Sequence, residues 1–263
     1  MWTKLYIVCA CAALGLAAPA QETADLMPEA RIINGRLAVE GMFPYMVALS
    51  RNGTYVCGGA IIAPEYIITA AQCVTDKVTK GVMEPVPAAQ LSIRVGSLDR
   101  LQGGVVSKIS QVTVHEDYIG KKTNDLAILR LPAPLNYTEA IGEVRITHWG
   151  ITGFAPLNIT GWGSLSINGA FPRLLHWQTD SALTSNDCAL STWIMNSSVL
   201  CAGRWTGNGI CTGDMGGPAV GDGRLHGIAN WVGGKCGSDS PNGYADIYYF
   251  RDWIKIHANL TYY

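Results

Sequence analysis

The sequence predicts an all-β protein, and three observations carry this prediction. Apolar and β-branched residues occur in many short runs, which glycine, proline, asparagine and aspartate separate. The 263 residues include 30 glycines, which suits a sheet protein with many turns. Helical periodicity is confined to two short segments. Short strands at this spacing are typical of antiparallel barrels or sandwiches.

Six strands are expected in each half of the chain. Those of the first half are predicted at 46–49, 59–62, 66–71, 92–95, 105–114 and 126–131. Those of the second half are predicted at 157–162, 174–183, 199–202, 219–220, 225–231 and 244–247.

Two helices complete the expected elements. A short intermediate helix is predicted at 184–193, with Thr184 or Ser185 as its N-terminal cap. A second helix is predicted near the C-terminus at 248–257, where i,i+4 pairs of large apolar side chains would bury one face.

The first 20 residues have the pattern of a secretory signal peptide. Lys4 supplies a basic start, residues 5–16 are apolar, and small residues follow up to Ala20. The apolar run is short for a membrane span, although a signal anchor is the alternative interpretation. No later stretch reaches about 18 consecutive apolar residues. The protein is therefore expected to be secreted, extracellular and without a membrane segment.

Composition and charge exclude two classes of protein. Hydrophobic residues make up 48% of the chain and charged residues 15%, which argues against intrinsic disorder. Lysine and arginine total 19 against 20 acidic residues, so the chain has no basic excess for binding nucleic acid.

Six cysteines follow the signal pattern, and an even number in a secreted chain indicates disulfides. They are Cys57, Cys73, Cys188, Cys201, Cys211 and Cys236. A metal site is the alternative, but the sequence contains no CxxC pair and no His/Cys cluster. We therefore expect no metal and no cofactor. Six cysteines allow about 15 pairings, so spacing alone leaves the connectivity open.

Several motifs occur in a fixed order along the chain. They are RIING at 31–35, CGG at 57–59, TAAQC at 69–73, NDLAIL at 124–129, GWG at 161–163 and CTGDMGGP at 211–218. Together they resemble the chymotrypsin/trypsin-like serine protease family over essentially the whole chain after the signal. The resemblance implies a propeptide at 21–31 and a protease domain at 32–263. This domain would consist of two antiparallel six-stranded barrels, roughly 32–145 and 146–263, and would be monomeric.

Two of the three catalytic positions depart from the family pattern. Family members carry TAAHC and GDSGGP, so the histidine position is Gln72 and the serine position is Met215, while Asp125 matches. A glutamine amide does not titrate in the useful range, and a thioether has no proton to lose. The resemblance therefore implies a degenerate triad. Without a histidine beside it, we expect Asp125 to be a buried carboxylate bound by loop N–H groups.

The resemblance also implies a partial binding site. The oxyanion hole would come from the backbone N–H groups of Gly213 and Met215. The base of the specificity pocket would be Gly209, with Val232 and Gly243 as its walls. No charged residue is among these positions, so a preference for lysine or arginine side chains is not expected.

An activation step is implied as well. Cleavage after Arg31 would free the amino group of Ile32, which would insert and pair with Asp214. The alternative is that Arg31 lies in an unused propeptide and Asp214 binds only local N–H groups.

The family pairs the cysteines as Cys57–Cys73, Cys188–Cys201 and Cys211–Cys236. Five glycosylation sequons also occur. Asn52, Asn136, Asn196 and Asn259 are candidate acceptors, whereas Asn158 lies in a predicted strand and is expected to be too buried.

Two main functional hypotheses follow. The first is a secreted, non-catalytic homologue that acts as a binding, cofactor or decoy module, for example in an extracellular protease cascade. Its partners would be other proteins, such as active serine proteases, their substrates or their inhibitors. The second is a serine-type endopeptidase with a non-standard active site. A duplicate that has drifted and lost its function is a third hypothesis.

Overall fold

The structure is a computed structural model and describes residues 1–2, 35–79, 82–203 and 209–261. This part of the chain contains two α-helices, α1 (Ser185–Thr192) and α2 (Ile247–His257), and short 3-10 turns at Ala71–Cys73 and Ala88–Gln90. Its strands are β1 (Arg36–Leu37), β2 (Met46–Arg51), β3 (Thr54–Ala63), β4 (Tyr66–Thr69), β5 (Thr75–Thr79), β6 (Val82–Pro85), β7 (Leu91–Val95), β8 (Val105–Lys108), β9 (Gln111–Val114), β10 (Ala127–Arg130), β11 (Arg145–Ile146), β12 (Pro156–Gly161), β13 (His176–Ser181), β14 (Val199–Ala202), β15 (Pro218–Gly221), β16 (Arg224–Trp231) and β17 (Asn242–Asp246).

The first barrel is an antiparallel sheet with the strand order β8-β7-β2-β3-β4-β10-β9. The two strands at its ends are consecutive in the chain, and only Ile109 and Ser110 separate them. The sheet therefore closes on itself, with β8 and β9 as two halves of one bent strand. The sequence predicts a single strand at 105–114. In the structure this segment is divided into two strands, because β8 pairs with β7 whereas β9 pairs with β10.

The second barrel has the strand order β13-β12-β15-β16-β17-β14. Its end strands meet at an isolated bridge between Ala182 and Ala202, beside a 3.0 Å hydrogen bond from the Gly203 N–H to the Ser181 carbonyl. Two-residue strands β1 and β11 extend this sheet. The prediction of two six-stranded barrels is thus confirmed. The structure adds β1, β11 and the separate β5–β6 hairpin to it.

Packing of the elements follows the apolar pattern of the chain. In β7, Leu91, Ile93 and Val95 are buried while the residues between them are half-buried. The helix α2 buries Phe250 and Ile254, and its N-terminal cap is Asp246, whose carboxylate accepts the Tyr248 N–H at 2.8 Å. The cap of α1 is Thr184, one of the two residues predicted for it, and its hydroxyl accepts the Asp187 N–H at 3.1 Å.

Three disulfides staple the loops of the fold, and their pairs are those that the resemblance implies. They are Cys57–Cys73, Cys188–Cys201 and Cys211–Cys236, with sequence separations of 16, 13 and 25 residues. Each closes a short loop, which stabilises the fold by roughly 3 kcal/mol in the chain-entropy account. Two of these disulfides anchor the chain close to the altered positions, one through Cys73 next to Gln72 and the other through Cys211 before Met215.

Four of the five sequon asparagines lie at the surface. Asn52, Asn136, Asn196 and Asn259 are exposed. Asn158 is half-buried within β12, where its side-chain oxygen accepts the Thr179 hydroxyl at 3.0 Å. Within the described ranges, no helix has the length and apolar character needed to cross a membrane.

Candidate active site

Strand pairing brings Gln72 and Asp125 together. The strand β4 ends at Thr69, which pairs with Ala127 at the start of β10, and the two side chains lie just beyond these ends. The Gln72 backbone N–H donates to Asp125 Oδ1 at 2.8 Å, and the Gln72 side-chain amide donates to Oδ2 at 2.5 Å. Asp125 is 1% exposed. The aspartate thus lies where the sequence places it, and it is bound by local N–H groups.

The Gln72 amide has a second acceptor. Its Nε2 also donates to the Asn230 backbone carbonyl at 2.6 Å. Because a carboxylate and a carbonyl both accept, this end of the side chain must be the NH2 group, and both of its hydrogens are used. Asn230 itself donates from Nδ2 to the Lys122 carbonyl at 3.2 Å. Sequence reasoning missed Asn230, since no motif marks it.

Burial governs the ionisation of Asp125. Desolvation raises the pKa of the Asp125 carboxyl to about 7, although hydrogen bonds from the N–H groups of Gln72 and Ala71 and from the Gln72 amide act in the opposite direction. A neutral amide offers no compensating positive charge. The substitution at position 72 therefore leaves a buried carboxyl that is only partly ionised near neutral pH.

The loop that carries Met215 packs against the strand leading to Gln72. The Met215 carbonyl accepts the Gly58 N–H at 2.8 Å. Gly216 has a φ of 78°, and a Cβ there would lie 2.2 Å from Thr69 Oγ1. The Met215 side chain is partly buried and packs against core residues. Backbone contacts of Met215 and Gly216 therefore hold this loop close to the turn at Gln72, and none of these contacts requires a serine side chain at position 215.

The expected oxyanion hole would be formed by two backbone N–H groups. Neither the Gly213 N–H nor the Met215 N–H donates to another residue in the described part of the chain. The Tyr55 hydroxyl donates to the Gly213 carbonyl at 2.8 Å and so anchors this loop. Both N–H groups are therefore available to an oxygen of a ligand.

The structure places a residue other than Gly243 beside Gly209, the expected base of the specificity pocket. The side chain beside Gly209 is that of Asn242, because a Cβ on Gly209 would lie 2.2 Å from Asn242 Nδ2. Asn242 Oδ1 also accepts the Gly233 N–H at 3.1 Å. Side chains alternate along β17, so Gly243, the wall expected from sequence, faces the Trp231 indole instead.

Val232 is half-buried and packs against the core of the second barrel. The candidate pocket is therefore lined by Gly209 and by Asn242, whose amide reaches across to Gly233.

Asp214 is held by the backbone of two loops. Its Oδ1 accepts the Gly163 N–H at 2.7 Å, its Oδ2 accepts the Cys211 N–H at 2.9 Å, and the residue is 1% exposed. Burial raises the pKa of the Asp214 carboxyl to about 6, against the effect of these two hydrogen bonds. Arg31 and Ile32, the expected activation residues, lie outside the described residues.

A small cleft opens beside Gln72, which we name the lysine cleft. Its volume is 180 Å³, and it is lined by Gln72, Tyr118, Gly120, Lys121, Lys122, Asp125, Asn230 and Trp231. The Lys122 ammonium lies 4.2 Å from the centre of the Trp231 ring. No cluster of three or more metal-ligating side chains occurs among the residues described.

Comparisons with known proteins agree with this architecture. The profile of the trypsin family matches residues 32–254. Serine protease SP24D of Anopheles gambiae is 34% identical over 226 residues, which cover 86% of this chain and 80% of that protein. Trypsin alpha of Drosophila melanogaster is 32% identical over 242 residues, which cover 89% and 91%.

Solved structures show the same fold. Mouse brain neuropsin, a serine protease, has a TM-score of 0.75 at 25% identity and covers 85% of this chain and 98% of its own. Human heparin binding protein has a TM-score of 0.74 at 25% identity and covers 86% and 96%. On this evidence the chain belongs to the trypsin family of serine proteases and has the chymotrypsin-like fold.

Proposed function

We propose that the protein is a secreted, non-catalytic member of the trypsin family that acts by binding other proteins. The observation that carries the proposal is the hydrogen bonding of Gln72. Its amide donates one hydrogen to Asp125 and the other to Asn230, at the position where the family places its general base. A general base must accept a proton, and a carboxamide does not do so near neutral pH.

Replacement chemistry has no support in the described part of the chain. Met215 offers no ionisable proton, and its loop carries no other nucleophile with an adjacent base. The six cysteines there are all in disulfides. The lysine cleft contains no histidine. Model proteases without a triad retain roughly 10³–10⁴-fold acceleration over water, which is negligible for peptide bonds.

What remains of the site suits binding. Disulfides and backbone hydrogen bonds hold both altered loops in place, and the N–H groups of Gly213 and Met215 remain available. A rigid surface next to a cleft can recognise a protein without acting on it. The expected partners are active serine proteases, their substrates or their inhibitors, towards which the protein would act as a cofactor or decoy.

Secretion is part of the proposal. The N-terminal sequence has a signal-peptide pattern, and three disulfides are typical of an oxidising compartment.

The second candidate is a serine-type endopeptidase with a non-standard site. It is favoured by the names of the relatives, which are a serine protease and trypsins at 31–34% identity.

One experiment decides between the two candidates. The purified secreted protein is incubated with a fluorophosphonate probe and with a panel of chromogenic peptides, beside trypsin and a Met215→Ala variant. We expect no labelling and no hydrolysis by the wild type or by the variant. Labelling that disappears on unfolding would establish the endopeptidase and refute the proposal.

A further inference from the structure

We propose that the lysine cleft recognises an acidic side chain of a bound protein through Lys121 and Lys122. This inference rests on the proposed binding function and gives it a partner chemistry. Three features of the cleft support it: the acceptors at its floor are already used, its exposed charges are positive, and one of its lysines is held in position.

The acceptors at the floor of the cleft are satisfied within the protein. Both oxygens of Asp125 accept N–H groups of Gln72, and the carboxylate is 1% exposed. The Asn230 carbonyl accepts the second hydrogen of the Gln72 amide. A basic or hydrogen-donating ligand would therefore find few open partners at this floor.

The charges at the mouth of the cleft are positive. Lys121 and Lys122 are exposed, and neither pairs with a carboxylate in the described part of the chain. The neighbouring Glu116 is turned towards α2, where it accepts the Trp253 indole N–H at 2.8 Å.

The lining has two further titratable groups, Asp125 and Tyr118. Asp125 is buried beneath Gln72 and only partly ionised near neutral pH, and Tyr118 is buried with its pKa raised by desolvation, so it carries no charge at neutral pH. The exposed charge of the lining is therefore that of the two lysines, which outweighs the partial charge of the buried Asp125 and favours an anion.

Lys122 is held at both ends. Its backbone carbonyl accepts the Asn230 amide at 3.2 Å, and its ammonium lies over the Trp231 ring at 4.2 Å. A side chain that is already ordered loses less entropy when it forms an ion pair. The pair would also form at a cleft wall, where it is less screened than on an open surface.

The size of the cleft restricts the ligand. A volume of 180 Å³ accommodates one carboxylate side chain rather than a folded segment. We therefore assign the cleft to a single aspartate or glutamate that projects from the surface of a partner protein.

The test compares two fluorescein-labelled peptides by fluorescence anisotropy. One has two central glutamates, and its twin has glutamines at the same positions. We expect the glutamate peptide to bind at least about tenfold more tightly, equivalent to about 1.4 kcal/mol. The K121Q/K122Q variant should lose this preference. The matched control K108Q removes an exposed lysine of β8 that does not line the cleft, and it should keep the preference.

Three outcomes would overturn the inference. They are equal affinity for both peptides, a glutamate preference that survives K121Q/K122Q, and no binding of the glutamate peptide up to about 1 mM. Fluorophosphonate labelling is measured on the same preparation. Failure of the acidic preference without labelling leaves the non-catalytic function standing, whereas labelling refutes that function whatever the peptides do.

Discussion

At the scale of single residues, Gln72 reproduces the geometry of the family's histidine without its chemistry. In the family, the aspartate orients the histidine by accepting its ring N–H. Here Asp125 accepts the Gln72 amide at 2.5 Å, so the same contact is made by a group that cannot carry a proton. The altered positions, Gln72 and Met215, were predictable from sequence, because each occupies a fixed place within its motif, TAAQC or GDMGGP.

Asn242 was not predictable in the same way. The pairing of β16 with β17 shifts register between Ala229 and Trp231, so counting along the chain does not reveal which residue faces Gly209. A bulge of this kind depends on the backbone of two strands and leaves no signal in either sequence segment.

The position of Asn242 leads to a prediction about restored activity. Changing Gln72→His with Met215→Ser should restore weak fluorophosphonate labelling, since both loops keep their anchors. Adding Asn242→Gly should raise hydrolysis of peptides with small or apolar side chains by about tenfold, because the amide beside Gly209 is removed. Steady-state kcat/KM for a peptide panel is the measurement.

The matched control for this series is Asn136→Gly, an exposed position far from the pocket in sequence. Cleavage after lysine or arginine by the triple variant would contradict the description of the pocket as uncharged. If Asn136→Gly raises hydrolysis as much as Asn242→Gly does, the Asn242 amide does not obstruct the pocket.

Asp125 leads to a prediction about pH. Its folded pKa of about 7 lies above the ordinary value of 3.8, so its protonated form stabilises the fold. This contribution is complete below about pH 4 and is lost as the pH rises through about 7. Asp125→Asn has no such titration. The melting temperature of the wild type relative to this variant should therefore fall between about pH 4 and pH 7 and level off above about pH 7. A difference that stays constant, or rises, would contradict the buried carboxyl.

At the scale of elements, strand existence was more predictable than strand ends. The alternation of buried and half-buried residues in β7 is visible in the sequence. The β5–β6 hairpin was missed because residues 75–85 are largely polar and show no clear alternation. The division of 105–114 into β8 and β9 arises from barrel closure, which is a property of the whole sheet.

The turn between β2 and β3 carries the glycosylation prediction. Asn52 and Gly53 have φ values of 49° and 80°, which is the left-handed geometry of a two-residue hairpin turn. Asn52 is exposed, so protein from a secreting eukaryotic host should carry a glycan there. Thr54→Val should remove one glycan mass and keep the turn. Asn52→Ala should remove it and also lower stability by about 1 kcal/mol, because alanine disfavours this conformation.

Intact mass before and after glycosidase treatment measures the glycan, and thermal melting of deglycosylated samples measures the turn. Asn158→Gln serves as the comparison, since Asn158 is half-buried in β12 and should carry no glycan. An unchanged mass for Thr54→Val would show that Asn52 is not an acceptor.

At the scale of the whole molecule, buried carboxylates link loops that are distant in sequence. Asp125 joins the turn at Gln72 to the start of β10, and Asp214 joins the Met215 loop to Gly163. Neither is offset by a cation in the described part of the chain. The family motifs located both residues in advance. Their hydrogen-bond partners became visible only when the two barrels were assembled.

The last prediction concerns cleavage after Arg31. The freed amino group of Ile32 has an ordinary pKa near 8 and would be charged at neutral pH. Paired with Asp214, it would supply the positive charge that two backbone N–H groups lack, and the Asp214 pKa would fall from about 6 to below its ordinary value. The aspartate would then stabilise the fold above about pH 4, and the amine would do so until the pH rises past about 8. Cut protein should therefore melt at a higher temperature than uncut protein between these limits.

An Asp214→Asn variant should show no such gain in melting temperature on cleavage, and an Arg31→Gln variant should resist the cut. Equal melting of cut and uncut wild type would mean that Asp214 serves only to bind local N–H groups.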